Sequence, residues 1–278
     1  MNPLTKRKLS KIFTYLVLIL WSIIVLFPIW TLIINSFKTQ KDIFKDPFGL
    51  PPHFTLAGYE AVWNTGHFDL YFFNTIYVTA VSLFFILFFG SMAAYALAKW
   101  KSRMSSILYI FFIAGLMIPI RLGTIDLLRL IISLNLQDTL WSLIPVYIAM
   151  GMPIATFVLT AFIRTLPSEM FEAAHMDGAS EWNIYFMIVL PLLRPALATV
   201  AIFNMIKIWN DFWFPLIFIR AEQSRTVALG VSLLFGQYHT DWTRALSVLA
   251  LAALPLLLLY IALSREFIKG LTAGAVKG

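Results

Sequence analysis

The chain has 278 residues, of which 60% are hydrophobic, 16% aromatic and 13% charged, and a net charge of +7. A water-facing domain carries roughly 25% charged residues, so this composition excludes an ordinary soluble domain, and the length exceeds what one membrane span needs. Cysteine is absent, which excludes disulfides, thiolate metal ligands and a thiol nucleophile.

In chain order, Lys6, Arg7, Lys8 and Lys11 precede an uncharged run from Ile12 to Phe37. A signal peptide has an apolar core of about 7–15 residues and ends in a small-residue cleavage site. This run is longer and closes on Ile34-Asn35-Ser36, so it reads as an uncleaved first span. Residues 38–69 form a polar connector with Pro47, Pro51 and Pro52, and 70–98 are uncharged and make the second span. Lys99, Lys101 and Arg103 mark a short basic loop before a third span over 104–120. Residues 121–138, with Asp126 and Arg129 among leucines and isoleucines, are amphipathic and predict a short interfacial helix. The fourth span covers 139–163. A polar loop over 164–181 follows, then a fifth span from about 184 to 219, interrupted by prolines, Lys207 and Asp211. After a polar loop at 220–244 comes a sixth span at 245–264 and a tail at 265–278. The expected organisation is therefore an all-α integral membrane protein: an N-terminal part (1–69), a five-helix core (70–264) and a tail (265–278).

Six spans place both termini on one side. The segments on that side hold 12 Lys and Arg, and the three opposite loops hold 8. The bias puts the termini and the 164–194 loop in the cytoplasm and accounts for the positive charge without nucleic acid. Pro28, Pro119, Pro153, Pro191, Pro195, Pro215 and Pro255 lie in or beside the spans. Each removes a backbone donor, which lipid tolerates only where helices pack or water enters.

The sequence holds no Gly-x-x-x-x-Gly-Lys-Ser/Thr phosphate loop. His53, His67, His175 and His239 are scattered over the loops without ligand spacing. No Ser/His/Asp set or carboxylate pair converges within the spans. No catalytic residue, metal ligand or cofactor site is assigned.

The most distinctive phrase is EAAHMDGASEWNIYFMIVLPLLRP, from Glu172 to Pro195. Pro167-Ser168-Glu169 predicts a helix start, with Ser168 as cap and Glu169 at the positive end of the dipole. Ala173 and Ala174 add little bulk, so another surface can approach. Asp177-Gly178 predicts a helix stop with Gly178 left-handed, and a second helix near Ser180.

This phrase resembles the EAA loop, here spanning about 166–195, of permease subunits of bacterial ABC importers. VLPLLRPALATVAIF after it, WNDFWFPLIF from Trp209 and the closing GLTAGAVKG from Gly270 are similar to the carbohydrate-uptake branch, whose maltose-transporting members end in the same way. The resemblance covers most of the chain and is weakest over the first 70 residues. It implies the type I importer permease fold in the bacterial inner membrane, with a coupling helix seated in a groove of an ATPase subunit. Glu172, Ala173, Ala174, Asp177, Gly178 and Ala179 would make that contact. Gly270, Gly274 and Lys277, in a tail loosened by glycine, would reach the ATPase as well; the plainer reading is a frayed terminus. The implied partners are a second permease chain, two ATPase subunits that hold ATP and Mg, and a solute-binding protein, all within membrane lipid.

Lys207 and Asp211 are four apart and, on a helix, share a face with Asn204. A lone charge at mid-membrane costs about 2.5–3.5 kcal/mol. Asn204, Lys207, Trp209, Asn210 and Asp211 therefore either edge a translocation path or include a structural ion pair. Glu222, Gln223, Gly236, Gln237 and Tyr238 of the 220–244 loop either meet the binding protein or belong to a plain connector. The implied function is a permease subunit of an ATP-driven sugar or glycoside importer. The alternatives are the same architecture carrying a polyamine or phosphate compound, and an ion-coupled secondary carrier.

Overall fold

The computed structural model describes residues 3–100, 102–235 and 240–275, without the side chains of 3–6, 9, 65 and 265–275. Helices dominate, and among the described residues the only β-pairing is an isolated bridge between Phe235 and Thr240. Two compact units are present: residues 1–68 with 231–253, and residues 69–230 with 254–278.

The first unit begins with α1 (Pro3–Asn35). Its apolar stretch, Ser10–Asn35, is almost wholly exposed and spans about 39 Å at 1.5 Å per residue. Exposed Ile, Leu, Phe and Trp along its length suit lipid rather than water. Past its end, Lys38 is fully buried, and its Nζ donates to the carbonyls of Asp46 and Gly49, each at 2.7 Å. Asn35 Nδ2 donates to Pro47 O at 2.8 Å. These bonds fold the connector and its short helix α2 (Gln40–Lys45) back onto the end of α1. In α3 (Ala57–Thr65), a Cβ added to Gly58 would stand 2.3 Å from Ser247 Oγ and 2.6 Å from Thr243 O, so glycine permits that close approach.

The second unit is built on α4 (Phe68–Lys99) and α7 (Ile144–Ile163). Ile86 meets Gly151 and Gly90 meets Ala155, so the two helices run parallel. A Cβ on Gly90 would be 2.8 Å from that of Ala155, and one on Gly151 would be 2.4 Å from Ile86 Cδ1. Small residues four apart at such a seam bring backbones together where lipid supplies no hydrophobic drive. Between them run α5 (Arg103–Ala114) and the amphipathic α6 (Thr124–Ser133). Ser102 caps α5, accepting from the Ser105 N–H at 3.1 Å. The helix ends against Gly115, where an added Cβ would lie 2.9 Å from Pro153 Cγ.

After α7 come α8 (Ser168–Met176), α9 (Glu181–Leu192) and α10 (Arg194–Trp209). A π-helical turn occupies Ile184–Val189 within α9. The last two helices meet at 71°, because Pro191 and Pro195 withhold successive backbone donors next to that irregular turn. Then follow α11 (Trp213–Phe218) and α12 (Val227–Ser232), while α13 (Trp242–Ala275) has its first turns in the first unit and the remainder in the second. The core of this unit gathers Ile86, Leu159, Ile184, Val189 and Leu193, all fully buried.

Among the described residues, four helical stretches are long and apolar enough to cross a membrane: Ser10–Asn35, Phe68–Lys99, Leu140–Ile163 and Trp242–Ser264. The bent pair α9–α10 would make a fifth. The third expected span is shorter than the sequence suggests, since α5 has 12 residues, about 18 Å of helix. The short amphipathic helix expected over 121–138 is present as α6, over Thr124–Ser133. The tail differs from expectation, because α13 stays helical through Gly270 and Gly274 to Ala275. Alanine, leucine, lysine and arginine around those glycines offset the roughly 1 kcal/mol that each glycine costs. Lys277 lies outside the described residues.

Candidate functional site

The turn between α7 and α9 is assembled from local rules. Pro167, at φ −61° and ψ 134°, precedes the helix and occupies the cap position without a side-chain bond, so Ser168 is the first helical residue rather than the cap. The extended conformation of Pro167 sets the chain's entry, and the exposed helix start leaves its N–H groups to solvent. At the other end Gly178 has φ +77°. Its N–H donates to His175 O and the Ala179 N–H to Ala174 O, both at 3.0 Å. This pair of bonds is a Schellman closure, which requires a left-handed residue. Nothing lies within 4 Å of a Cβ added at Gly178, so the backbone angle alone selects glycine there. Ser180 then caps α9, its Oγ accepting from the Asn183 N–H at 3.3 Å.

The faces of α8 divide sharply. Ala174 is buried in the unit's own core, whereas Glu172, Ala173, Asp177 and Gly178 are exposed, and Ala179 is half-buried. The two alanines therefore do different jobs: Ala174 seats the helix and Ala173 leaves its outer surface low. Met176, 89% exposed, extends that outer surface. Sequence reading passed over it, although an apolar side chain directly before an Asp-Gly stop is the available signal.

A charged cluster fastens α8 and α9 to α4. Glu181 pairs with Lys99 and accepts from Tyr95 OH at 2.8 Å. His175 Nε2 is 3.1 Å from Lys99 Nζ and 3.5 Å from Glu181 Oε1. Deeper, Ser91 Oγ and Tyr185 OH are 2.7 Å apart. The contacts that reach α4 lie beyond local sequence rules, because 76 to 94 residues separate their partners.

The polar residues near 204–211 are not brought together on one face. Asn204 is buried and its Nδ2 donates to Val200 O at 2.9 Å. Lys207 and Asn210 are exposed, and Trp209 is buried with its ring 6.3 Å from that of Phe72. The helix ends at Trp209 with Asn210 as cap, so Asp211 stands off it. This corrects the shared helical face, and among the described residues Lys207 and Asp211 form no ion pair. Asp211 instead accepts from Tyr147 OH at 2.9 Å and from the Phe214 N–H at 3.2 Å, joining α7 to the start of α11. Nearby, Trp213 Nε1 donates to Thr124 Oγ1 at 3.0 Å and ties α11 to α6.

The 220–226 loop is clasped. Asp138 Oδ1 accepts from the Arg220 N–H and, at 3.1 Å, the Ala221 N–H, while Asp138 O accepts from Ser224 Oγ at 2.8 Å. Glu222 accepts from Tyr71 OH at 3.1 Å, and Asn74 Nδ2 donates to the carbonyls of Gln223 and Arg225. The side chains of Glu222 and Gln223 are exposed. Gly236, Gln237 and Tyr238 lie outside the described residues. No group of three or more His, Cys, Asp or Glu that could hold a metal ion occurs among the described residues.

The family model for the binding-protein-dependent transport system inner membrane component matches residues 86–271. The inner membrane ABC transporter permease protein YcjP of Escherichia coli (strain K12) is 36% identical, with 98% of this chain and 99% of the relative covered. The arabinooligosaccharides transport system permease protein AraQ of Halalkalibacterium halodurans is 32% identical over 98% of this chain and 100% of its own length. The melibiose/raffinose/stachyose import permease protein MelC of Bacillus subtilis (strain 168) is 31% identical over 90% and 91%. Among solved structures, a chain of a bacterial ABC transporter involved in import of the acidic polysaccharide alginate matches with a TM-score of 0.78 and 21% identity, covering 94% of this chain and 98% of that one. That likeness establishes the fold.

Proposed function

The chain belongs to the binding-protein-dependent transport system inner membrane component family, and from that premise we propose that it is a permease subunit of an ATP-driven importer of oligosaccharides or glycosides. As a permease it is a transport subunit and not an enzyme; ATP is hydrolysed on a separate subunit. The sugar assignment is supported by relatives at 31% and 32% identity whose names specify melibiose, raffinose, stachyose and arabinooligosaccharides.

The observation that carries the coupling role is the geometry of α8. A short helix is closed by a left-handed glycine, seated through Ala174, and presents Glu172, Ala173 and Met176 outward. An ATPase groove would grip that surface, and the cluster of Lys99, Glu181 and His175 would pass its displacement to α4. Six crossings are completed if α5 is the short third span and α9–α10 the broken fifth, with both termini cytoplasmic. The helical end of α13 at Gly270 and Gly274 would lie on the ATPase side. A solute-binding protein would meet the clasped loop at Glu222 and Gln223, and a second permease chain would supply the other half of the path.

Affinity purification of the chain from its native membranes, with mass spectrometry of what accompanies it, tests this reading. The expected companions are an ABC ATPase and a second permease, with the ATPase lost on Glu172→Arg while the second permease stays. A chain recovered without any ATPase under gentle conditions overturns the proposal.

A further inference from the structure

An open groove of about 890 Å³ lies where α4 ends, α5 begins and α7 passes into α8. That volume falls within the range of sites for small ligands, about 300–1,000 Å³. Three cations line it: Lys99, Arg103 and Arg164. Lys99 is already engaged by Glu181. Arg103 and Arg164 have no carboxylate partner among the described residues; Arg164 instead stacks its guanidinium 4.7 Å from the centre of the Tyr109 ring. Ser102, Ser106 and Ser168 add hydroxyls, and Glu172 is the one carboxylate in the lining.

The groove is also amphipathic. Leu97, Ile163 and Phe171 belong to its wall. Next along the chain, α5 exposes Ile107, Ile110 and Phe111 by 60% or more, and Trp100 is 56% exposed at the rim. Tryptophan at a span end marks the headgroup level of a bilayer. The arrangement is thus a pair of guanidiniums without a carboxylate partner, at headgroup depth beside a lipid-facing apolar helix. Arg binds phosphate oxygens in a bidentate fork, and basic pockets between spans suit anionic headgroups.

We propose that this groove binds the phosphate of an anionic phospholipid, with Arg103 and Arg164 on the headgroup and the acyl chains along α5. A free phosphate offers the same oxygens, but it would leave the apolar wall unused. The groove borders the coupling surface of α8 and shares Glu172 with it, but Arg103 and Arg164 lie outside that surface, and the test does not depend on an ATPase being bound.

The full chain, purified with whatever subunits accompany it, is exposed to equimolar phosphatidylglycerol and phosphatidylcholine, and retained lipid is read by native mass spectrometry. Phosphatidylglycerol should be retained in preference. Arg103→Gln or Arg164→Gln should each weaken it about 5-fold, and the pair about 25-fold, since each cation near the headgroups contributes about 1 kcal/mol, which is about 5-fold. Arg103→Lys with Arg164→Lys should keep most of the retention. A photoactivatable phosphatidylglycerol should crosslink to residues 97–111 of the unmodified chain, a readout that no folding defect can affect. If excess inorganic phosphate displaces the lipid and is itself held by the same arginines, the anion site stands with a soluble occupant. Equal retention of both lipids, unchanged by the glutamine variants, or crosslinks confined to other segments, overturns it.

Discussion

Two turns of the second unit are held by different physics. The 220–226 loop is clasped mainly through backbone groups: one carboxylate, Asp138, takes two N–H groups, and one amide, Asn74, gives to two carbonyls. The α8–α9 turn closes itself with local backbone bonds but is fastened to α4 by side-chain charges, Lys99 with Glu181 and His175, of which Lys99 is 22% exposed and Glu181 43%. A backbone clasp fixes one loop shape and leaves little to adjust. A half-solvated charge cluster is weaker and is tuned by salt.

The largest effect expected from breaking this contrast is at Asp138. Asp138→Ala should destabilise the solubilised chain by about 2–3 kcal/mol, because hydrogen bonds to a charged acceptor contribute about 1.5–3 kcal/mol. Asp138 also has φ +62°, a conformation Asn shares, so Asp138→Asn should recover much of the loss. Denaturant unfolding of the two variants checks both; an Ala variant as stable as the parent would remove the clasp from the comparison. Next comes Gly178→Ala, which should cost about 1–2 kcal/mol through the left-handed angle alone, with Gly178→Asn costing less. An equal penalty for both would mean that the space around the turn matters after all.

The smallest effect sharpens the contrast most. A double-mutant cycle on Lys99→Ala and Glu181→Ala should give a coupling of about 0.5–1 kcal/mol, the range of exposed pairs. Raising salt to about 1 M shortens the screening length to about 3 Å and should abolish that coupling while leaving the Asp138 effect in place. Coupling that persists at high salt would make the cluster a second clasp.

Legibility in the sequence followed the range of the interactions. The Asp-Gly stop, the helix start near Ser180 and the amphipathic α6 were readable because each depends on residues within one or two turns. The helical start was misplaced by one residue, since Pro167 takes the cap position that Ser168 was expected to fill. Spacing alone set Lys207 and Asp211 on one face, but the partner that matters to Asp211 is Tyr147, 64 residues away. The spans were legible as apolar runs, yet the close approach of Gly115 to Pro153 at the end of α5 joins residues far apart in sequence. Which alanine of the pair faces inward was decided by packing that composition does not encode.

The seam between α4 and α7 has a mechanical consequence. At Gly90 and Gly151 the opposing atoms leave no room for even one added carbon, so sliding one helix along the other would drive side chains into backbone. Close-packed interfaces of this sort switch between discrete arrangements rather than creeping. The two helices are therefore geared together as one lever arm. Bending is left to the 71° corner between α9 and α10, where two prolines and a π-turn have already removed the regular backbone bonds that would resist it.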